Sequence, residues 1–265
     1  MIDEDEKGYS MPDITVTTPG APCWLELTTA DPARSQEFYS ALFGWNAETG
    51  DAVLYGGYVS FSSQHRRIAG AMKKQDDAPY PDTWSVYLLT TDAEATAVAI
   101  AEAGGMNMFE AMNVPEMGVM GFATDPAGAT VGYWQPGQHT GFQAEREHGA
   151  PVWCELLATD FDREVEFYEK AFDWTLSPMD AGDEFRYMVF EKDGQQFCGI
   201  YDAAQMLAGE PGGWAVYFGA ADVDVTVAKA VELGATIKDE PMDTPYGRVA
   251  SVIDPTGAVL RVMSI

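Results

Sequence analysis

The stretch APCWLELTTADPARSQEFYSALFGW, residues 21–45, returns 129 positions later as APVWCELLATDFDREVEFYEKAFDW, residues 150–174. Twelve of the 25 aligned positions are identical, and they include Trp24 and Glu26 of the first copy. A tryptophan and a glutamate two residues apart on a predicted strand share one face of it. Their return in the second copy indicates a use in the fold or in ligand binding.

Two further pairs of segments follow in the same order, at offsets of 129 or 130 residues. The sequence DTWSVYLLTTD (82–92) returns as GGWAVYFGAAD (212–222), and FATDPAGATVGYW (122–134) returns as SVIDPTGAVLRVM (251–263). A nearly constant offset over the whole chain is the signature of a tandem duplication.

The duplication divides the chain into four parts. An acidic arm (1–20) lacks apolar periodicity and is expected to be flexible. A first domain (21–137) and a second domain (150–265) contain the two copies. The polar segment between them (138–149) contains glycine and histidine and is predicted to be a linker.

Each copy has the same predicted order of elements. A strand over 23–29 alternates apolar and polar residues, and Asp31 then caps a helix that ends at Gly44. Further strands complete the first unit, and a second strand–helix–strand unit ends in a hairpin whose tight turn is DPAG or DPTG. Each domain is therefore predicted to be α+β, with two βαβββ modules.

Composition narrows the choice of partners. Acidic residues outnumber basic residues 42 to 15, which gives a net charge of −27. Such a field repels nucleic acids and anionic membranes, so neither is an expected partner. No signal-peptide pattern and no bilayer-spanning apolar run is visible, which favours a cytoplasmic protein. The three cysteines form no CxxC pair, so neither a disulfide framework nor a structural zinc site is expected.

The module order, with D…FY…LFGW after the first strand and DPxG before the last, resembles the vicinal oxygen chelate superfamily. This superfamily includes glyoxalase I, extradiol dioxygenases, fosfomycin-resistance transferases and bleomycin-resistance proteins. The paired PxWxEL openings are similar to those of bacterial tandem glyoxalase-like proteins, and the resemblance covers 21–137 and 150–265. It implies that each pair of βαβββ modules forms an incurved mixed sheet with a ligand cavity.

The resemblance also implies a divalent metal, held by side chains from the first and last strand of each module. Counted from the motifs, the corresponding positions hold tryptophan, valine, glycine or arginine: Trp24, Gly70, Val86, Gly132, Trp153, Gly199, Val216 and Arg261. The three histidines, His65, His139 and His148, lie outside the predicted strands. We therefore predict no metal and no cofactor, although a site with unusual ligands, such as Glu26 with Glu155, stays open.

Alternation on the strands predicts which side chains line the two cavities. They are Trp24, Glu26, Thr28, Trp84 and Trp134 in the first domain, and Trp153, Glu155, Trp214, Phe218 and Arg261 in the second. Aromatic walls with few polar groups suit a small organic ligand. Arg261 is expected either to neutralise Glu155 or to hold a ligand carboxylate. Two alternatives stay open: tryptophans at such positions more often fill a core or an interface, and the glutamates are then structural hydrogen-bond acceptors.

Three functions follow from this pattern. The favoured one is metal-independent binding or sequestration of a small organic molecule. The second is a lyase, isomerase or hydroxylase-like enzyme that uses Glu26 or Glu155 as acid and base, because a buried glutamate has a raised pKa, or that uses an atypical metal. The third is a structural or interaction protein with a degenerate cavity. The sequence leaves a homodimer open.

Overall fold

The computed structural model describes residues 15–75, 78, 80–179 and 185–265. The helices in these ranges are α1 (Pro32–Phe43), α2 (Ala93–Glu102), α3 (Phe161–Phe172), α4 (Ala204–Leu207) and α5 (Val223–Glu232). The strands of the first domain are β1 (Pro22–Thr29), β2 (Asn46–Thr49), β3 (Val59–Ser63), β4 (Arg66–Lys73), β5 (Thr83–Leu89), β6 (Met106–Asn107), β7 (Met112–Val114), β8 (Gly118–Thr124) and β9 (Thr130–Pro136). Those of the second are β10 (Pro151–Ala158), β11 (Leu176–Pro178), β12 (Tyr187–Lys192), β13 (Gln195–Asp202), β14 (Gly213–Ala220), β15 (Thr236–Thr244), β16 (Gly247–Ile253) and β17 (Val259–Ser264).

The two copies form two sheets with matching strand order. The first sheet runs β2-β3-β4-β1-β5-β9-β8-β6, with β7 also paired to β8, and the second runs β11-β12-β13-β10-β14-β17-β16-β15. Within a sheet the modules meet where their first strands pair antiparallel, β1 with β5 and β10 with β14. The last strand of each module pairs parallel with its first. The predicted α+β fold of paired βαβββ modules in mixed sheets is confirmed.

The helix boundaries follow the predicted capping residues. The Asp31 side chain accepts a hydrogen bond from the backbone N–H of Arg34 at 3.0 Å, and Gly44 ends α1 with a φ of 75°. In the second copy the Asp160 side chain makes no such bond. The carboxylate of Glu164 accepts the backbone N–H of Asp160 at 2.8 Å instead.

Helices cover one face of each sheet, and the helix-covered faces pack against each other across the domain boundary. Helix α1 contacts α5, and α2 contacts α3. The tyrosine of each FY pair reaches the DPxG aspartate of the other domain. The Tyr39 hydroxyl donates to Asp254 at 2.8 Å, and the Tyr168 hydroxyl donates to Asp125 at 3.5 Å. These two motifs therefore join the domains.

The tryptophans that end the repeated stretch also cross between domains. The Trp45 indole N–H donates to the carbonyl of Gly149 at 2.8 Å, and the Trp174 indole N–H donates to the carbonyl of Gly20 at 3.0 Å. The last residues of the predicted arm and of the linker are thus held by the partner domain. Positions 1–14 of the predicted arm lie outside the described residues.

The predicted orientation of two tryptophans on β5 and β14 is wrong. Trp84 lies opposite Leu27, and its indole N–H donates to the Tyr39 hydroxyl of α1 at 3.0 Å. Trp214 donates in the same way to Tyr168 of α3 at 3.1 Å. Both side chains therefore lie on the helix-covered face. Because side chains alternate along a strand, an error of one residue in register reverses every one of them.

Phe218 is likewise not a cavity residue. Its side chain is fully buried, and its ring lies 5.3 Å from Trp45 and 5.2 Å from Trp84, measured between centroids. Phe218 belongs to the second domain and both tryptophans to the first, so these rings form part of the core between the domains.

No helix in the described ranges has the length and apolar character needed to cross a bilayer.

Candidate functional site

The sheet face opposite the helices, here called the helix-free face, carries one buried glutamate in the first domain. The Glu26 carboxylate accepts a hydrogen bond from the Tyr87 hydroxyl at 2.9 Å and a second from the Tyr58 hydroxyl. The Tyr58 hydroxyl in turn accepts the indole N–H of Trp24 at 2.7 Å. We call Trp24, Glu26, Tyr58 and Tyr87 the first cluster.

The second domain repeats this arrangement residue for residue. Glu155 accepts the Tyr187 hydroxyl at 3.0 Å on one oxygen and the Tyr217 hydroxyl at 2.6 Å on the other. The Trp153 indole N–H donates to the Tyr187 hydroxyl at 2.8 Å. These four residues form the second cluster. The Trp-x-Glu pair of the opening stretch is thus the start of a hydrogen-bonded chain in both domains.

Glycines on the neighbouring strand make room for one tyrosine of each cluster. Gly70 lies beside Glu26 on the parallel strand β4, and a Cβ atom built there would be 2.0 Å from the Tyr58 hydroxyl. In the second domain a Cβ atom on Gly199 would be 2.2 Å from the Tyr187 hydroxyl. Real Cβ atoms do not approach an oxygen so closely, so the tyrosine hydroxyl fills the space of the missing side chain.

Burial controls the protonation of the first cluster. It raises the pKa of Glu26 from its usual 4.5 to about 7, an effect that the hydrogen bonds from Tyr87 and Tyr58 partly offset. Burial and the Glu26 charge raise the pKa of both tyrosines well above the ordinary value. The tyrosines therefore stay protonated donors, while Glu26 gains and loses its proton near neutral pH.

The linker closes the first domain over its cluster. The His139 imidazole meets the Trp24 ring edge-on, with 4.3 Å between centroids. The backbone carbonyl of His139 accepts the Trp134 indole N–H at 2.8 Å. Burial, aided by the charge of Arg67, lowers the pKa of His139 to about 4, so the ring is neutral at pH 7. Trp24 is 4% exposed, Glu26 6% and Trp134 7%.

The second cluster is more open and has a cation beside it. Trp153, Glu155 and Tyr217 are each half-buried. The Arg261 guanidinium lies 5.8 Å from the centroid of the Tyr217 ring and makes no hydrogen bond or ion pair with any residue that the structure describes. The anticipated bridge between Arg261 and Glu155 does not form, and the carboxylate oxygens of Glu155 accept two tyrosine hydroxyls.

The equivalent of Arg261 in the first domain is Gly132. It lies beside Tyr87, and a Cβ atom on it would be 2.4 Å from that ring. Tyr87 therefore packs against the bare backbone of Gly132, whereas Tyr217 has a charged side chain as its neighbour. The two sites share a cluster but differ in access and in charge.

The structure brings some of the predicted cavity residues together and separates others. On the helix-free face lie Trp24, Glu26, Thr28, Trp134, Trp153, Glu155 and Arg261. Trp84, Trp214 and Phe218 lie on the other side. The sequence interpretation missed Tyr58, Tyr87, Tyr187, Tyr217 and His139. The sequence does contain a signal for the tyrosines, because Tyr58 with Tyr187 and Tyr87 with Tyr217 are separated by the repeat offsets of 129 and 130 residues.

The observed register also changes the orientation of two positions that correspond to the metal ligands of the resembled family. Val86 lies opposite Leu25 and is fully buried, and Val216 is 1% exposed, so neither faces a cluster. The neighbouring residues that do face the clusters are Tyr87 and Tyr217. Within the described ranges, no three histidine, cysteine, aspartate or glutamate side chains are grouped as a metal site would need.

A cleft of about 350 Å³ lies between the domains, next to the second cluster. Trp153 lines it, together with residues 15–18, Arg146 of the linker and residues 195–197 of β13. Its size is in the range of small-molecule sites.

Comparison with known proteins identifies the family. The model of the Glyoxalase/Bleomycin resistance protein/Dioxygenase superfamily matches residues 150–262. The anthracycline biosynthesis protein DauV of Streptomyces sp. (strain C5) is 34% identical over 266 residues, an alignment that covers 95% of this chain and 96% of DauV. The putative glyoxylase CFP32 of Mycobacterium tuberculosis (strain CDC 1551 / Oshkosh) is 33% identical over 257 residues, which cover 96% of this chain and 98% of CFP32. The chain belongs to the glyoxalase/bleomycin resistance protein/dioxygenase superfamily. The predicted resemblance is confirmed.

Solved structures of this superfamily share the fold over nearly the whole chain. The Mn(II)-bound glyoxalase from Novosphingobium aromaticivorans has a TM-score of 0.63 at 15% identity and covers 94% of this chain and 83% of its own. The 2,3-dioxygenase LapB from Pseudomonas sp. KL28 has a TM-score of 0.62 at 14% identity and covers 94% of both chains. At such low identity these two structures establish the fold and leave the chemistry of this chain to its own residues.

Proposed function

We propose that this superfamily member binds a small, partly aromatic organic molecule on the helix-free face of its second domain, without a metal ion. The observation that carries the proposal is the difference in access between two matched clusters. The first is closed by the His139 segment, whereas Trp153, Glu155 and Tyr217 of the second are half-buried. Half-buried tryptophan and tyrosine side chains offer large apolar surfaces with a polar edge, which suits ligand contact.

A stacked aromatic wall extends the second cluster. The Phe185 ring lies 5.5 Å from the Tyr187 ring at an angle of 6°, and 5.2 Å from the Tyr201 ring at 27°. Phe185 and Tyr201 are half-buried. Tyr187 is buried, so Phe185 and Tyr201 form the accessible part of this wall, and stacked rings of this kind favour a planar aromatic ligand. The similar protein DauV is named for anthracycline biosynthesis, which supports a fused-ring aromatic compound as the class to test first.

The donor set does not fit the metal site that the resemblance implies. Such a site needs imidazoles and a free carboxylate. Both oxygens of Glu155 already accept tyrosine hydroxyls, and the Tyr187 hydroxyl fills the space beside Gly199. These contacts support a site that recognises its ligand by aromatic contact and hydrogen bonding.

The test is a titration of the full chain with anthraquinone-2-carboxamide by isothermal calorimetry, with Tyr201→Ala as the variant. Tyr201 lies beside Leu157, and its counterpart Met72 lies beside Thr28, so Met72→Ala is the matched change in the first domain. Losing one stacked ring should weaken binding about 10-fold in Tyr201→Ala, and Met72→Ala should bind as the parent does. Equal weakening in both variants, or no binding by the parent of either this amide or the corresponding carboxylate, would refute the proposal.

The second candidate is general acid–base catalysis by Glu26, and the observation that favours it is the burial of this carboxylate, which raises its pKa to about 7. Turnover of any substrate should then fall in Glu26→Gln with ligand binding retained, and Glu155→Gln tests the corresponding residue of the open site. Unchanged turnover in both variants would remove the acid–base candidate.

A further inference from the structure

Arg261 is placed by the sheet next to the second cluster. Strand β17 pairs parallel with β14, which sets Arg261 beside Tyr217, and antiparallel with β16, which sets it beside Ser251. The guanidinium is half-buried and lies over the Tyr217 ring. Its position is therefore defined by strand pairing and by the ring, and its N–H groups have no acceptor among the described residues.

The carboxylates near Arg261 are bonded to other groups. Glu155 accepts both tyrosine hydroxyls of its cluster. Asp239 lies opposite Ser251 on β15 and accepts the Ser251 hydroxyl. The guanidinium thus makes no hydrogen bond or ion pair with either of these acids, which leaves its fork of donors available to a third partner.

Comparison with the other arginines shows that a guanidinium without an acceptor is unusual in this chain, which has 42 acidic and 15 basic residues. Those whose guanidinium has a hydrogen-bond partner are Arg34, Arg66, Arg67, Arg146, Arg186 and Arg248. Arg163 projects from α3 and is exposed, so water solvates it. A half-buried guanidinium without an acceptor gives up solvation for no internal bond, and an anionic ligand group would supply that bond.

We infer that Arg261 makes the second domain selective for an aromatic ligand that carries a carboxylate. This inference rests on the proposed binding function and adds the charge of the ligand. The carboxylate accepts the guanidinium fork, and the ring system of the ligand packs on the aromatic wall of Tyr187, Phe185 and Tyr201. Gly132 provides no such group in the first domain, so the selectivity belongs to the second domain alone.

The experiment compares two probes of the same shape, anthraquinone-2-carboxylate and anthraquinone-2-carboxamide, by calorimetry on the full chain. The parent should bind the carboxylate about 10-fold more tightly than the amide, since hydrogen bonds to charged groups are the stronger ones. Arg261→Gln should weaken carboxylate binding at least about 10-fold and amide binding less than about 3-fold. Arg261→Lys keeps the charge without the fork and should lie between the two.

Arg163→Gln is the matched control, because it removes one positive charge from an exposed site and should leave both affinities unchanged. Equal affinity of the parent for the two probes, or equal loss of both in Arg261→Gln, would overturn the role of Arg261 and leave the binding function intact. Failure of the parent to bind either probe would overturn the binding function, and this inference with it.

Discussion

Replacing Glu26 by glutamine should remove a pH dependence from the stability of this protein. Burial raises the pKa of Glu26 from 4.5 to about 7 in the folded chain, so the folded state holds the proton more tightly than the unfolded state does. Stability from this group is therefore complete below pH 4.5 and is lost as the pH rises through 7. The rise of the Glu26 pKa from 4.5 in the unfolded chain to about 7 in the folded chain corresponds to about 3 kcal/mol of unfolding free energy.

The measurement is urea unfolding of the parent and of Glu26→Gln between pH 5 and pH 8.5. Over that range the parent should lose up to about 3 kcal/mol more than the variant. Burial also raises the pKa of Glu164 to about 7, but this residue titrates in both proteins and cancels in the difference. The exposed Glu48, changed to glutamine, controls for the loss of one negative charge. Parallel curves for parent and Glu26→Gln would contradict a raised pKa of Glu26 in the folded chain.

Two further predictions concern the linker and the domain interface. His139→Gly should expose Trp24 by removing the imidazole that covers it, and acrylamide should then quench the tryptophan fluorescence more strongly. The control is His148→Gly, which leaves the His139 imidazole in place. Equal quenching in both variants would contradict the closure of the first domain. Tyr39→Phe should lower the free energy of unfolding, measured by urea denaturation, by about 2 kcal/mol, because buried Asp254 and Trp84 each lose a hydrogen-bond partner. The control Tyr80→Phe removes an exposed hydroxyl and should change this free energy little. Equal effects of the two changes would contradict the role of Tyr39 at the interface.

Local chemistry made much of the fold predictable from the sequence. Asp31 and Gly44 mark the ends of α1 because their side-chain and backbone preferences act within a few residues. The same holds for the DPAG turn, where one oxygen of Asp125 accepts three backbone N–H groups. Alternation on β1 correctly grouped Trp24 with Glu26.

The register of β5 was not predictable in the same way. The strand TWSVYLL is buried on both faces, apart from its first residue, so alternation of polarity does not show which side faces the helices. The contact that decides it joins Trp84 to Tyr39, 45 positions apart. Choosing the wrong side hid Tyr87 and moved Trp84 into the predicted cavity.

Contacts over long sequence distances account for the rest of what the sequence could not show. Tyr58 reaches Trp24 from 34 positions away, and only because Gly70 has no side chain. The partner of Tyr39 is Asp254, 215 positions away. The closure of the first domain by His139 depends on where the linker runs, and the polar composition of that segment carries no such information.

In the proposed function, the second domain binds an aromatic ligand without a metal. The most direct measurement is calorimetric titration with anthraquinone-2-carboxylate of protein treated with EDTA and verified metal-free by elemental analysis. We expect one ligand per chain, the same affinity before and after metal removal, and binding weakened by Tyr201→Ala but not by Met72→Ala. Binding that disappears with the metal and returns when Mn²⁺ or Fe²⁺ is restored would contradict the claim.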